Sequence, residues 1–260
     1  MSKGAWSKFP YAEKAYMYTG AALKKNWDRL HRGDAEPWPD DESVQEAWRL
    51  YHQGEFQKAA ESGLKAGIAG YAAANKATAI YANYLEKDAG RKLALFEEVA
   101  RRAEEQQKAE PKYPNAYYLH AYALGRYSQG ISVVKALAQG LGGKIKDSLT
   151  KAIKLEPRHA DAHIALGAYH AEVIDKVGAM VGGLTYGAKK DESLKHFTTA
   201  IRLNPDSAIA RIEYANALVM MFGKSKLDEA SKLYEDAAAA KPLDAMERLD
   251  VELAKAELEE

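Results

Sequence analysis

An all-α fold of stacked helical hairpins is predicted by three observations. One phrase recurs through the back half of the chain: Lys151-Ala152-Ile153-Lys154-Leu155-Glu156-Pro157, Thr199-Ala200-Ile201-Arg202-Leu203-Asn204-Pro205, and a looser Asp236-Ala237-Ala238-Ala239-Ala240-Lys241-Pro242. Each copy closes an amphipathic helix with a proline, and a helix-starting segment follows. With Pro111, Pro157, Pro205 and Pro242 as register, small residues fall together at Ala121, Gly167 and Ala215, and again at Ala152, Ala200 and Ala237. Leu149, Phe197 and Tyr234 stand one turn before the second set. Small residues let helix backbones approach, while large ones fill the space between hairpins at about 1.5–3 kcal/mol per buried side chain. Third, composition is that of a soluble globular chain: 47% apolar, 28% charged, and 37 Lys+Arg against 37 Asp+Glu. That balance leaves no electrostatic footprint for nucleic acid.

The elements follow in order. Residues 1–42 read as an N-terminal cap, with Tyr16, Leu23, Trp27 and Leu30 at near-helical spacing between Tyr11 and His31. Glu36-Pro37-Trp38-Pro39 then breaks the helix. The tryptophans are expected to cover the open end of the stack, since terminal repeats need a modified outer face. Hairpins occupy 43–243. The first runs from Ser43 to His52, turns at Gly54 and returns through Phe56 and Ala59. A second pair, Ala72 to Leu85 and Gly90 to Ala109, carries a weak signal and is placed by its neighbours. Residues 244–260 form a closing helix.

The prolines repeat every 46, 48 and 37 residues. The last spacing is close to the ~34 of a tetratricopeptide repeat, and the first two are longer. From about Asn115 onward the chain resembles the tetratricopeptide-repeat superfamily, and more narrowly its long-insert branch. That branch includes the regulator-of-microtubule-dynamics proteins and the TRAP-transporter-associated T-component proteins. The phrases carrying the narrower likeness are Gln129-Gly130-Ile131, Lys146-Asp147-Ser148-Leu149 leading into the first proline phrase, and Pro205-Asp206-Ser207-Ala208-Ile209-Ala210. The chain also looks like bacterial tetratricopeptide proteins of this length. The resemblance implies a tetratricopeptide-like solenoid with inserts in two repeats, and it brings no catalytic residue.

The surplus lies in matching places. Val134 to Leu141 parallels Val177 to Leu184, both between the helices of a hairpin. Their apolar residues keep a helical period until glycines stop it, so each insert is expected to extend the first helix and end in a flexible turn. These stretches either pack on each other or line an apolar cleft, for which Leu137, Leu141, Val177 and Leu184 are the candidates. Membrane contact is least favoured, because the stretches are short and lack a basic face.

The resemblance also implies an inner wall built by the first helix of each hairpin. On this chain the wall comprises Asn115, Tyr118, Tyr122 and Arg126, then Asp161, Ile164, Ala168 and Glu172, then Ile209, Ile212, Asn216 and Met220. A carboxylate clamp would need more Lys, Arg and Asn. Tyrosine offers broad apolar contact with a polar tip, which suits a peptide or an amphipathic ligand. The competing reading makes Tyr118 and Tyr122 core residues.

Catalytic readings fail. Gly140-Leu141-Gly142-Gly143-Lys144 lacks a preceding strand, a glycine at Ala138 and a hydroxyl at Ile145, so it is no phosphate loop. His159, His163 and His170 share a helical face, but no HExxH base accompanies them, and neither zinc nor another cofactor is expected. Glu172 and Lys176 have ion-pair spacing. With no cysteine, thiol chemistry and disulfides are excluded.

The expected function is a non-enzymatic scaffold that binds a protein or peptide segment in its concave groove. The alternative is a carrier of a small or lipid-like molecule in the cleft formed by the inserts, and a closed tunnel there would favour it. No signal-peptide core or membrane span is apparent, so the expected compartment is the cytoplasm, or the periplasm if a leader has been removed.

Overall fold

The computed structural model describes residues 4–259, and all its regular structure there is helical. After a single 3-10 turn, Lys14–Tyr16, come α1 (Ala22–Leu30), α2 (Glu42–His52), α3 (Phe56–Lys65), α4 (Tyr71–Tyr84) and α5 (Ala89–Ala109). Then follow α6 (Pro114–Gln129), α7 (Val133–Ala138), α8 (Leu141–Leu155), α9 (Ala160–Val177) and α10 (Ala179–Tyr186). The remaining helices are α11 (Lys190–Leu203), α12 (Ala208–Phe222), α13 (Leu227–Ala238) and α14 (Ala245–Glu259). Five hairpins result, α2/α3, α4/α5, α6/α8, α9/α11 and α12/α13, with α14 packed on the fifth.

Helix starts are set locally. Asp41, Asp88 and Ser207 each accept a backbone N–H of the first turn, and Pro114 opens α6 where its missing N–H costs nothing. The turn between α2 and α3 needs Gly54 twice over: its φ is +88°, and a Cβ there would lie 2.4 Å from the Phe9 ring. The proline register holds. Ala121, Gly167 and Ala215 are buried, as are Leu149, Phe197 and the three alanines that follow the large residues. The weak signal over the second hairpin has a physical reason: every residue of α4 from Ala72 to Ala82 is buried, so that helix carries no polar face to reveal a period.

Two local expectations are corrected. The lead-in helix reduces to the 3-10 turn and α1, because Met17 and Gly20, at φ +55°, interrupt the pattern. The inserts are not extensions of α6 and α9. Ser132 caps a separate α7, and Gly178, at φ +82°, breaks the chain before α10.

Candidate functional site

The first helices of the hairpins, α2, α4, α6, α9 and α12, line the concave face, and much of that face is filled by the chain's own N-terminal segment. Trp6 and Phe9 do pack on the first hairpins, against Tyr81 and Phe56. Residues 27–38, however, run on along the groove as a strap. Trp27 lies edge-on to Trp48 of α2 and donates its indole N–H to the Glu36 carbonyl at 2.8 Å. Asp34 takes Lys76 of α4 as an ion-pair partner, and its carbonyl accepts from Asn115 of α6 at 3.0 Å. Asp161 of α9 donates its backbone N–H to the Gly33 carbonyl at 2.9 Å. Arg32 reaches Asp206, just ahead of α12, and Arg29 pairs with Glu247 of α14 at 2.7 Å. The strap thus touches every repeat.

Its polar groups are buried and interlocked. His31 binds Asp34 at 2.9 Å and meets His52 at 3.2 Å, and His52 binds Asp244 at 2.8 Å. Burial pushes the Asp34 carboxyl up, but the Lys76 charge and His31 outweigh it and hold the group well below the usual carboxylate range. Glu36 behaves oppositely. Burial, reinforced by the Asp34 charge, lifts it to about 8, even though Tyr113 and Asn115 both donate to its Oε2. His159, at the start of α9, accepts the Ala162 N–H on Nδ1 and so donates from Nε2 to Asn115 at 2.8 Å. Burial accordingly holds it neutral, with its pKa down at about 3.

The Glu36 shift predicts a pH dependence. Its folded pKa, about 8, lies above its ordinary 4.5, so the folded state binds the proton more tightly and stability from this group is lost as pH rises between those values. In Glu36→Gln that part of the fall should vanish. Melting temperatures of both proteins across this window check it.

The part of the groove left by the strap is a cavity of about 190 Å3. Tyr118, Tyr122, Ile164 and Ala168 form its groove side, while Leu137, Leu141, Ile145, Val173 and Val177 form its insert side. Arg126 and Glu172, the other groove candidates of the first two long repeats, also border it. Tyr118 is buried and Tyr122 half-buried, with the Arg126 guanidinium 5.4 Å from the Tyr122 ring centre. Arg126 bonds Glu213 at 2.6 Å, and Gln129 ties Glu172 at 2.5 Å across the ends of α6 and α9. Burial, then the Glu213 charge, raises the Glu172 pKa.

Other candidates fall elsewhere. Ile212 is buried under α14 beside Val251 and Ala254, Asn216 accepts the Tyr234 hydroxyl at 2.5 Å, and Met220 is exposed outside the cavity. Leu184, 86% exposed, points away from the cavity that Val177 lines. The three histidines do not act together. His159 bonds Asn115 of α6, while His163 and His170 face His196 of α11, 2.8 Å from His163. Among the described residues, no group of three or more His, Cys, Asp or Glu side chains is placed to hold a metal.

Sequence reasoning named Asp161 on the inner wall but missed the rest of the cavity's polar floor. Lys76 contributes there with Asp161 3.5 Å away, and Asp250 of α14 takes the Tyr84 hydroxyl. Burial raises Asp250 well above the usual carboxylate range. A lysine inside the run Tyr71-Ala-Ala-Ala-Asn-Lys-Ala was the available signal, since an ammonium in an otherwise buried helix needs a counter-charge. Tyr169 was missed too. Its buried hydroxyl has no hydrogen-bond partner and borders the cavity.

These features define an all-helical tetratricopeptide-like repeat protein with a cavity on its concave side. The family described as Regulator of microtubule dynamics protein 1-3 matches residues 43–260, and the chain belongs to it. The strap lies outside the matched stretch. A thermophilic TPR protein of Thermus thermophilus has the same fold, with a TM-score of 0.58 and 18% identity over 82% of this chain and 97% of that one. No curated protein matches the chain significantly. Among the described residues, no helix is long and apolar enough to cross a membrane.

Proposed function

We propose that the protein is a non-catalytic carrier or receptor for a small amphipathic molecule held beneath the inserts. The observation that carries this reading is that groove and insert residues, separate candidates in the sequence, border one cavity. An open peptide groove loses support because the strap occupies the positions an extended partner would take. The cavity is of the order of the ~150 Å3 apolar void that takes up benzene, so it suits the apolar part of a ligand whose remainder reaches the mouth. Of the three cations that border it, Lys76 and Arg126 are ion-paired and Lys176 lies near the Glu172 carboxylate, which favours a neutral or zwitterionic head over a free anion. The Tyr169 hydroxyl is a donor for an ester or carbonyl oxygen. Ionisable groups on the floor are tied to each other, which fits holding a ligand and not turning it over.

Native mass spectrometry of the purified protein tests this. The wild type should carry a small-molecule adduct that is released on denaturation. Gly125 borders the cavity, and a Cβ there meets no atom within 4 Å, so Gly125→Phe should fill the space and abolish the adduct. Its melting temperature should hold or rise, because glycine inside a helix costs about 0.5–1 kcal/mol relative to alanine. An adduct-free wild type, or an adduct retained in the variant, would overturn the reading.

A protein partner is the second reading, supported by the strap itself, a turn-rich segment outside the repeats that lies along the groove. The family's description makes tubulin a protein to include in such a pull-down. Capture that requires removal of residues 1–41 would support it.

A further inference from the structure

The two inserts leave apolar side chains that no described residue covers. Val133, Val134 and Leu137 of α7 and Met180, Val181 and Leu184 of α10 make up six of the eleven large apolar side chains exposed among the described residues, a concentration within two short helices that ordinary surface scatter does not produce. Val134, Met180 and Leu184 are each more than three-quarters exposed. The helices stand at one opening. Val133 and Leu137 border the cavity from one side and Val177 and Tyr186 from the other, and Lys146 of α8 bonds the Tyr186 carbonyl at 2.7 Å, tying the end of α10 to the helix that follows α7.

Charge indicates what this face meets. Residues 130–146 hold Lys135, Lys144 and Lys146, residues 176–190 hold Lys176, Lys189 and Lys190, and neither stretch contains an Asp or Glu. Asp147, Asp175, Asp191 and Glu192 border the two stretches, leaving an excess of two positive charges in a chain whose formal net charge is zero. The lysines escape a helical-face count because most lie at helix ends and in the connecting turns; Lys135, Lys144, Lys176 and Lys189 are exposed there, while the ammonium groups of Lys146 and Lys190 are held by the Tyr186 and Met221 carbonyls. An apolar centre rimmed by lysines is the surface that an anionic lipid headgroup layer complements: the side chains enter the acyl boundary while the ammonium groups remain among phosphates.

We propose that α7 and α10 form a docking face for an anionic membrane surface, placed around the cavity mouth. In the docked state the mouth faces the bilayer, so a ligand carried below the inserts passes to or from lipid without crossing bulk water. This last step rests on the carrier reading, whereas docking itself does not.

Vesicle flotation separates the two. The full chain should float with phosphatidylcholine vesicles containing about 30% phosphatidylserine, and much less with phosphatidylcholine alone or at high salt. The double variant Val134→Asp/Leu184→Asp, both at exposed positions, should keep its melting temperature and lose at least about tenfold in vesicle affinity. Because the chain has no cysteine, Leu184→Cys gives a single site for an environment-sensitive dye. Its emission should shift blue on anionic vesicles, while that of dye at Lys58→Cys on α3 should not. Gly125→Phe should still dock, so failure of the carrier reading leaves this result readable. Absence of binding to anionic vesicles, binding unaffected by the double variant, or a stable dimer that the double variant dissociates would each overturn the proposal, the last by assigning the face to a second copy.

Discussion

Asp34→Ala lowers the unfolding free energy by about 3–5 kcal/mol, the range for removing one partner of a buried ion pair. The Asp34 carboxylate is 2% exposed and serves Lys76 and His31 together. Its loss leaves the Lys76 ammonium, 9% exposed, with Asp161 alone at 3.5 Å. Cost comes mainly from that stranded charge, which stays in a buried site with only its longer partner. Asp206→Ala gives the contrast. Asp206 is 52% exposed and meets Arg29 and Arg32 in solvent, where a pair contributes about 0–1 kcal/mol. Urea denaturation of the three proteins checks both numbers, and equal losses would mean that the strap is not anchored at Lys76.

Gly167→Leu is the second large effect. A Cβ at this position would lie 2.8 Å from the Phe197 ring, inside the contact distance that real side chains keep, and the rest of a leucine would enter a fully buried phenylalanine. Overpacking should cost about 3 kcal/mol or more, the upper end of its usual range, because α9 and α11 are also tied there by the Ser193 hydroxyl donating to the Gly167 carbonyl at 2.8 Å. Adding Phe197→Leu to the milder Gly167→Ala should recover part of the loss. A parental melting temperature for Gly167→Leu would mean that the helices do not approach at this point.

The solenoid was legible because its evidence is local. Proline-terminated phrases and the small residues at 121, 167 and 215 repeat in the chain itself, and each reports contacts within one hairpin or with the next. The strap was not legible for the converse reason. Nothing in His31 to Glu36 repeats, and its partners Lys76, Asn115 and Asp161 lie 42, 81 and more than 120 residues away. The candidate site was half legible. The register named Tyr118, Tyr122, Ile164 and Glu172 on one wall and Leu137, Leu141 and Val177 on the other, but whether two walls face each other depends on where the chain breaks. Gly178 and Ser132 decide that by ending α9 and capping α7. Ile212 and Asn216 were misplaced because α14 and Tyr234 cover that end of the groove, a packing choice that no spacing records.

The strap also bears on how the molecule is made. An array of repeats can fold as it leaves the ribosome, each hairpin docking on the one before. Here the earliest residues wait for the latest: the Tyr18 hydroxyl donates to the Leu243 carbonyl at 2.7 Å, and Glu13 pairs with Arg248 at 3.0 Å. At about 5–20 residues per second, the roughly 230 residues between those partners take on the order of 10–50 s to synthesise. The strap can meet Lys76, Asn115 and Asp161 as soon as each has been made, but Arg29 cannot reach Glu247, nor Glu13 reach Arg248, until α14 has emerged, so the N-terminal segment is fastened at both ends of the groove only late in synthesis, and until then its fraying exposes the groove to a chaperone or a protease.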